Sequence, residues 1–176
     1  MKRLKDIITV LCIILLVSIG LNIVQALKHN NAFRKAEKHY MIQANGDIKD
    51  AYKLLKSFIA GENRSEKVIR GFSMQLTGLH SLFLSNVNIK NYYASPNLNV
   101  VGAFITEGGR TNRASNMKGI YHDGVVSDDE IAFLQEVSKC LKILVDNACL
   151  EYDRFNETLI DFGEEWDKLP FELLAK

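Results

Sequence analysis

The sequence predicts an all-α protein in which an N-terminal transmembrane helix is followed by an elongated antiparallel bundle of three long helices. Three observations predict this fold. An uncharged, mostly apolar run covers residues 7–27. Apolar side chains then recur at steps of three and four through most of the chain, as on one face of a helix. Only residues 95–126 lack that period, and they are expected to form an irregular insertion.

The composition agrees with one folded domain and excludes several classes of protein. Hydrophobic residues make up 47% of the 176 positions and charged residues 24%, which is ordinary for a folding chain. The net charge of +1 provides no general attraction to nucleic acid, so no nucleic-acid partner is expected. Three cysteines are too few for a disulfide-stabilised miniprotein.

The N-terminal segment reads as a membrane anchor. Residues 1–6 form a basic tail, and residues 7–27 contain only Thr9, Ser18, Asn22 and Gln25 as polar members. A helix of this length spans about 30 Å, the thickness of a bilayer's hydrocarbon core. We interpret residues 7–27 as an uncleaved signal anchor, with the N-terminus in the cytoplasm and residues 28–176 outside.

Two alternatives bear on that interpretation. Val24-Gln25-Ala26 resembles a signal-peptidase site, although the apolar run exceeds the roughly 7–15 residues of a typical signal peptide. A lipoprotein is excluded because Leu11, rather than a small residue, precedes Cys12. The orientation rests on the short basic tail alone, because basic residues also follow the apolar run: Lys28, Arg34, Lys35 and Lys38.

The first two soluble helices are predicted at about 32–60 and 65–94. Apolar or small residues mark one face of the first, with Gly46 as a place for a kink: Phe33, Ala36, Tyr40, Ala44, Ile48, Ala51, Leu55 and Phe58. A similar face marks the second: Val68, Phe72, Leu76, Leu79, Phe83 and Val87. The turn at residues 61–64 predicts an antiparallel hairpin, and Pro96 ends the second helix.

A third helix is predicted at about 128–162. Ser127 and Glu130 have the spacing of a capping box, and Gly163 is a plausible end. The apolar positions from Ile131 to Phe162 have a mean step near that of a coiled coil. Residues 165–176 are expected to form a short helical tail.

The insertion at residues 95–126 has two open interpretations. Asp123-Gly124 is a turn signal between Ile120-Tyr121 and Val125-Val126, which predicts a small β-hairpin. A broken helix fits equally well. Since the second helix returns towards the membrane, we expect the insertion at the membrane-proximal end, where four apolar residues would meet the bilayer or a partner: Val100, Val101, Phe104 and Ile105.

Charge is divided along the chain. Residues 31–94 carry ten basic and five acidic residues, a net +5, whereas residues 128–176 carry five basic and thirteen acidic, a net −8. We expect the acidic helix to pack on the basic hairpin, with charge selecting which helices pair. The alternative is a basic or acidic surface that binds an anionic polymer, a lipid or a protein partner.

A search for chemistry yields no catalytic, cofactor-binding or metal-binding residue. The stretch from Asp123 to Ile131 resembles the second half of an EF-hand calcium loop, but Gly119 and Tyr121 occupy ligand positions. A turn followed by a capping box explains the same residues. No two of the four histidines are four residues apart, and His122-Asp123 lacks a nucleophile: His29, His39, His80 and His122.

The remaining motifs have ordinary explanations. Cys140 and Cys149 are expected on opposite faces of one helix, which excludes a disulfide between them and leaves an intermolecular bridge as the functional alternative. The loop that starts at Gly108-Gly109 lacks the Gly-Lys-Ser/Thr ending of a phosphate loop.

The sequence therefore favours a non-enzymatic interaction or scaffold protein of a bacterial cell envelope, which binds the bilayer and a protein partner. The alternative is an extracytoplasmic sensor or ligand-binding bundle that works with a partner subunit.

Overall fold

The computed structural model describes the backbone of residues 2–85, 97–110 and 117–175, with side chains from residue 11 onward except those of Cys12 and Ser85. The fold is all-α, as predicted, with 79% helix. The helices are α1 (Lys2–Ile59), α2 (Glu66–Ser85), α3 (Leu98–Glu107), α4 (Asp128–Asp146) and α5 (Tyr152–Trp166). A 3-10 turn, Phe171–Leu174, lies in the predicted helical tail.

The chain divides into two compact units, Met1–Tyr40 and Met41–Lys176. Helix α1 contributes to both. In the first unit the described side chains are exposed, apart from half-buried Glu37 and Tyr40. The second unit contains the hydrophobic core.

The core of the second unit confirms most of the predicted apolar faces. On α1 the buried residues recur at three and four: Met41, Ala44, Ile48, Ala51, Leu55 and Phe58. On α2 they are Ile69, Phe72, Leu76, Leu79 and Phe83, whereas Val68 is only half-buried. The predicted extension of this helix to residue 94 lies outside the described residues. Helix α1 continues through Gly46 without a break in its helical assignment.

A short turn joins α1 to α2. Gly61 has a φ of 82°, which glycine adopts without steric cost. Arg64 Nη2 donates to the carbonyl oxygen of Ile59 at 3.0 Å and Nε donates to that of Phe58 at 3.3 Å. These bonds pair carbonyl groups that a helix end leaves without intrahelical partners. Farther along, a Leu54 methyl lies 3.7 Å from where a β-carbon of Gly71 would be, so α2 packs beside α1.

The prediction of one helix over 128–162 is wrong, because residues 147–151 interrupt it. Asn147 caps α4, and its side-chain amide donates to Ile143 O at 2.9 Å. Asn45 Nδ2 donates to Cys149 O at 2.7 Å and holds the irregular backbone against α1. Cys149 is therefore not on a helix with Cys140. Helix α5 also continues through Gly163, the predicted end, to Trp166.

The start of α4 is as predicted. Ser127 Oγ accepts from Glu130 N at 3.3 Å, and Glu130 Oε2 accepts from Ser127 N at 2.7 Å. This is a complete capping box.

The insertion is helical in its first described part. Helix α3 packs along α2, so Val101 and Ile105 are buried and do not meet a bilayer. Phe104 is half-buried, and its ring lies 5.5 Å from that of Phe171. The expectation that these residues form an apolar contact surface is wrong, and only Val100 of the four is exposed.

The second described part of the insertion is an extended segment and a turn, so the β-hairpin, one of the two open interpretations, is not confirmed. Met117 pairs with Gly109 and with Ala175 in isolated antiparallel bridges. Residues 120–123 then form a turn in which Tyr121 has a φ of 73°. The Tyr121 hydroxyl donates to Arg64 O at 3.3 Å. This part therefore lies beside the α1–α2 turn within the second unit, and its expected membrane-proximal location stays a prediction.

Candidate functional site

Helix α1 presents a long apolar surface in the first unit. Its large apolar side chains between Leu11 and Leu27 are 47–68% exposed. Within the described side chains, one helical stretch, Ile13–Ile59, is long and apolar enough to cross a membrane, and none of its most apolar window is buried. This surface is compatible with a single-pass membrane anchor, as the sequence predicted.

Three polar side chains interrupt that apolar surface, and all three are exposed: Ser18, Asn22 and Gln25. Their steps of four and three place them on the same side of the helix. Each of these residues was identified from the sequence, but their common face was not. Their spacing of four and three residues was the signal that would have predicted it.

The second unit has a cleft of about 360 Å³ between α2, α3 and the turn at 120–124. Its lining is mainly polar and includes the one described non-glycine residue with positive φ, Tyr121. Such a conformation is uncommon for a bulky residue and requires support from its surroundings. The lining residues are Glu66, Ile69, Arg70, Thr106, Ile120, Tyr121, His122 and Gly124.

The polar groups of this cleft have partners within the protein. Arg70 Nη2 pairs with Glu66 Oε1 at 2.7 Å. Thr106 Oγ1 donates to Gly102 O at 3.2 Å, and the Tyr121 hydroxyl donates to Arg64 O. His122, which the sequence analysis paired with Asp123, is exposed at the rim. The lining contains no serine or cysteine that His122 would activate.

A second cleft of about 360 Å³ borders Cys140, between α4 and the segment after α5. Burial, followed by the nearby carboxylates Glu165 and Glu136, raises the pKa of the Cys140 thiol to about 11. A thiol in this state is protonated at neutral pH and is a poor nucleophile. Cys140 is also only 6% exposed, which disfavours the intermolecular disulfide at this position. Cys149 is half-buried, and both thiols are free.

The other candidate residues are dispersed. His29 and His39 are exposed on α1, and His80 is half-buried on α2. Among the described residues, no group of three His, Cys, Asp or Glu side chains has metal-binding geometry. Glu130, which the calcium interpretation requires as a ligand, is 1% exposed and its carboxylate accepts from Ser127 N.

The ion pairs described in the second unit are local in sequence. They join residues three or four positions apart: Asp50–Lys53, Glu66–Arg70, Glu136–Lys139, Lys142–Asp146 and Glu165–Lys168. Their side chains are 41–76% exposed, so solvent screens each pair and its contribution to stability is small. The proposed charge pairing between the hairpin and the acidic helices stays a prediction.

The comparisons with known proteins identify no relative. No family model, no curated protein and no solved structure matches this chain. The functional argument therefore rests on the residues and their geometry.

Proposed function

We propose that this protein is a single-pass, membrane-anchored helical interaction protein of the cell envelope, with the second unit outside the cytoplasm. One observation carries the proposal. Helix α1 exposes an uncharged apolar surface at residues 13–27, and the same helix continues to Ile59 and supplies core residues to the second unit from Met41 onward. A single element thus provides both the anchor and part of the folded unit.

Membrane anchoring is tested by carbonate extraction and intact-mass measurement of the full-length protein. The expected species has residue 1 or 2 at its start and stays in the membrane pellet. A soluble species that begins at Leu27 would instead establish cleavage after Ala26 and would contradict the anchor.

Orientation is tested with a membrane-impermeant maleimide on intact cells. Cys149 is half-buried in a loop and serves as the native label site, whereas Cys140 is buried. We expect labelling of Cys149 without permeabilisation and none in the Cys149→Ser control. Labelling that appears only after permeabilisation would place the second unit in the cytoplasm.

The interaction function is tested by purification from detergent-solubilised membranes. The wild type, with its second unit folded, should retain a protein partner. Gly119→Val should lose this partner, because the new side chain would collide with the backbone of Thr106 and disrupt the second unit. Copurification of the same proteins with both forms, or of none with either, would contradict a partner that recognises the folded unit.

The second candidate function is a sensor or ligand-binding bundle. The cleft beside Tyr121 favours it, because about 360 Å³ falls within the range of about 300–1,000 Å³ for small-molecule sites. A thermal-shift screen distinguishes the two functions. A ligand that stabilises the wild type but not Tyr121→Gly would support the sensor.

A further inference from the structure

We propose that the anchor helix pairs with a second, parallel copy of itself through one helix face centred on Asn22. This inference rests on the proposed membrane anchor and names its first partner. The face consists of exposed residues at successive steps of four, three, four, three and four: Leu11, Leu15, Ser18, Asn22, Gln25 and His29. Those steps keep all six residues on one side of a helix and match a two-stranded coiled-coil seam.

The amide of Asn22 lies inside the hydrocarbon layer if residues 7–27 span it. Asn22 precedes Leu27 by five residues, which corresponds to a depth of about 7.5 Å. An amide has two N–H donors and one carbonyl acceptor, and hydrocarbon offers no partner for any of them. Ser18 is deeper, but a carbonyl of its own helix can satisfy its single hydroxyl, whereas one such bond would leave the carbonyl and the second N–H of Asn22 without a partner. Asn22 therefore has the strongest need for a polar partner.

A second copy satisfies this need by geometry. Every copy inserts in the same orientation, so two parallel helices bring Asn22 to the same depth in each. The amide is self-complementary, because the N–H of one copy can donate to the carbonyl of the other. Asparagine in a coiled-coil seam also favours a defined register and pairing state. Lipid tails cannot make these bonds, and an unrelated helix would need a polar residue at the same depth.

The seam continues past the apolar run. Ala32 and Ala36 follow His29 at steps of three and four, and small residues permit close approach of two helices. Residues 28–36 are helical yet exposed on all sides within the first unit. Most helical stability in proteins comes from packing of one helix face, and this stretch of α1 has no packing partner within the first unit. Arg34 and Lys38 fall outside the seam, so their charges do not face each other across it.

Association is measured by energy transfer between donor- and acceptor-labelled full-length proteins in phosphatidylcholine–phosphatidylglycerol vesicles, with labels at Cys149. The wild type should associate in a way that weakens as lipid dilutes the protein. Asn22→Leu should weaken association about threefold to thirtyfold, the effect of interhelical hydrogen bonds in membranes. Asn22→Gln should retain association, and the off-face control Ile23→Leu should match the wild type.

Oxidative cross-linking locates the interface. In a Cys12→Ala, Cys149→Ser background that keeps buried Cys140, Leu15→Cys should cross-link and Leu16→Cys, rotated about 100° away from it and off the seam, should not. Equal cross-linking at both positions, or wild-type association of Asn22→Leu, would overturn the proposal. Flotation with the vesicles separates the two hypotheses: a protein that floats but stays monomeric contradicts only the pairing, and one that does not float contradicts the anchor.

Discussion

The hydroxyl of Ser73 donates a 2.8 Å hydrogen bond to the carbonyl of Gly102 and joins α2 to α3 inside the core of the second unit. A β-carbon at position 102 would lie 3.0 Å from the Ser73 carbonyl oxygen and 3.2 Å from its hydroxyl. The two helices approach this closely because residue 102 has no side chain. The contact orients α3, the first described part of the insertion, along α2.

Gly102→Ala should overpack the contact at a cost of about 1–3 kcal/mol. The higher helix propensity of alanine returns about 1 kcal/mol, so we expect the free energy of unfolding to fall by a net amount of up to about 2 kcal/mol. The matched control is Gly78→Ala on α2, where a β-carbon would meet nothing within 4 Å and stability should rise. Urea unfolding followed by circular dichroism in mild detergent measures both. Stabilisation by both substitutions would show that α3 is free to move away from α2.

Gly119→Ala should be more damaging, because its β-carbon would lie 2.3 Å from the Thr106 carbonyl oxygen. Backbone must move to relieve such a contact, and we expect a loss above about 3 kcal/mol, in the upper range for point substitutions. Gly124→Ala is the control. Gly124 has a φ of 74° and open space around it. Gly124→Ala should therefore cost only the strain of a left-handed backbone conformation, about 1–2 kcal/mol. Equal melting temperatures for the two variants would contradict the packing of residues 117–119 against α3.

Ser127→Ala should destabilise the protein by about 1 kcal/mol through loss of the side-chain cap on α4. The replacement Ser127→Asp preserves an acceptor for the Glu130 N–H and should change stability by only a few tenths. Thermal denaturation by circular dichroism compares the two. A loss in both variants would show that the hydroxyl has a role beyond capping.

The Cys140 thiol should react slowly with iodoacetamide in the folded protein. With a pKa of about 11, only about one thiol in a thousand is ionised at pH 8, since each pH unit below the pKa is a factor of ten. Peptide mass spectrometry should show Cys149 modified first, and unfolding in urea should remove the difference. Fast modification of Cys140 in the folded state would contradict its burial.

The Cys140 thiol also makes the stability of the protein depend on pH. Its pKa is raised from 9.0 in the folded state, so folding favours the protonated form. The resulting stability is fully present below pH 9 and is lost as the pH rises towards 11. Cys140→Ala should remove this part of the alkaline decline, and a pH series of urea midpoints in both proteins checks it.

Salt should have a small effect on the stability of the second unit. The ion pairs described there are exposed and join residues three or four positions apart, so screening removes little, whereas the buried apolar faces are unaffected. Urea midpoints across a sodium chloride series should shift only slightly. A large decrease would indicate that long-range attraction between the basic hairpin and acidic helices holds the fold together.

Features that depend on nearby residues could be predicted from the sequence. The capping box at Ser127 needs only the next three positions, so it was predicted with its role. The uncharged run at residues 7–27 and the apolar steps of α1 and α2 are likewise local signals. In the second unit the buried faces follow the apolar steps. Even the polar face around Asn22 is visible in the spacing once helix geometry is applied.

The break between α4 and α5 and the form of the insertion depend on contacts between distant parts of the chain. Asn45 and Cys149 are 104 residues apart, and their hydrogen bond stabilises a non-helical backbone where the apolar period continues. Met117 pairs with Gly109 on one side and Ala175 on the other, which the turn signal at Asp123-Gly124 could not indicate. The physical reason is that backbone groups accept partners from anywhere in the chain, so a distant donor can outweigh a local preference.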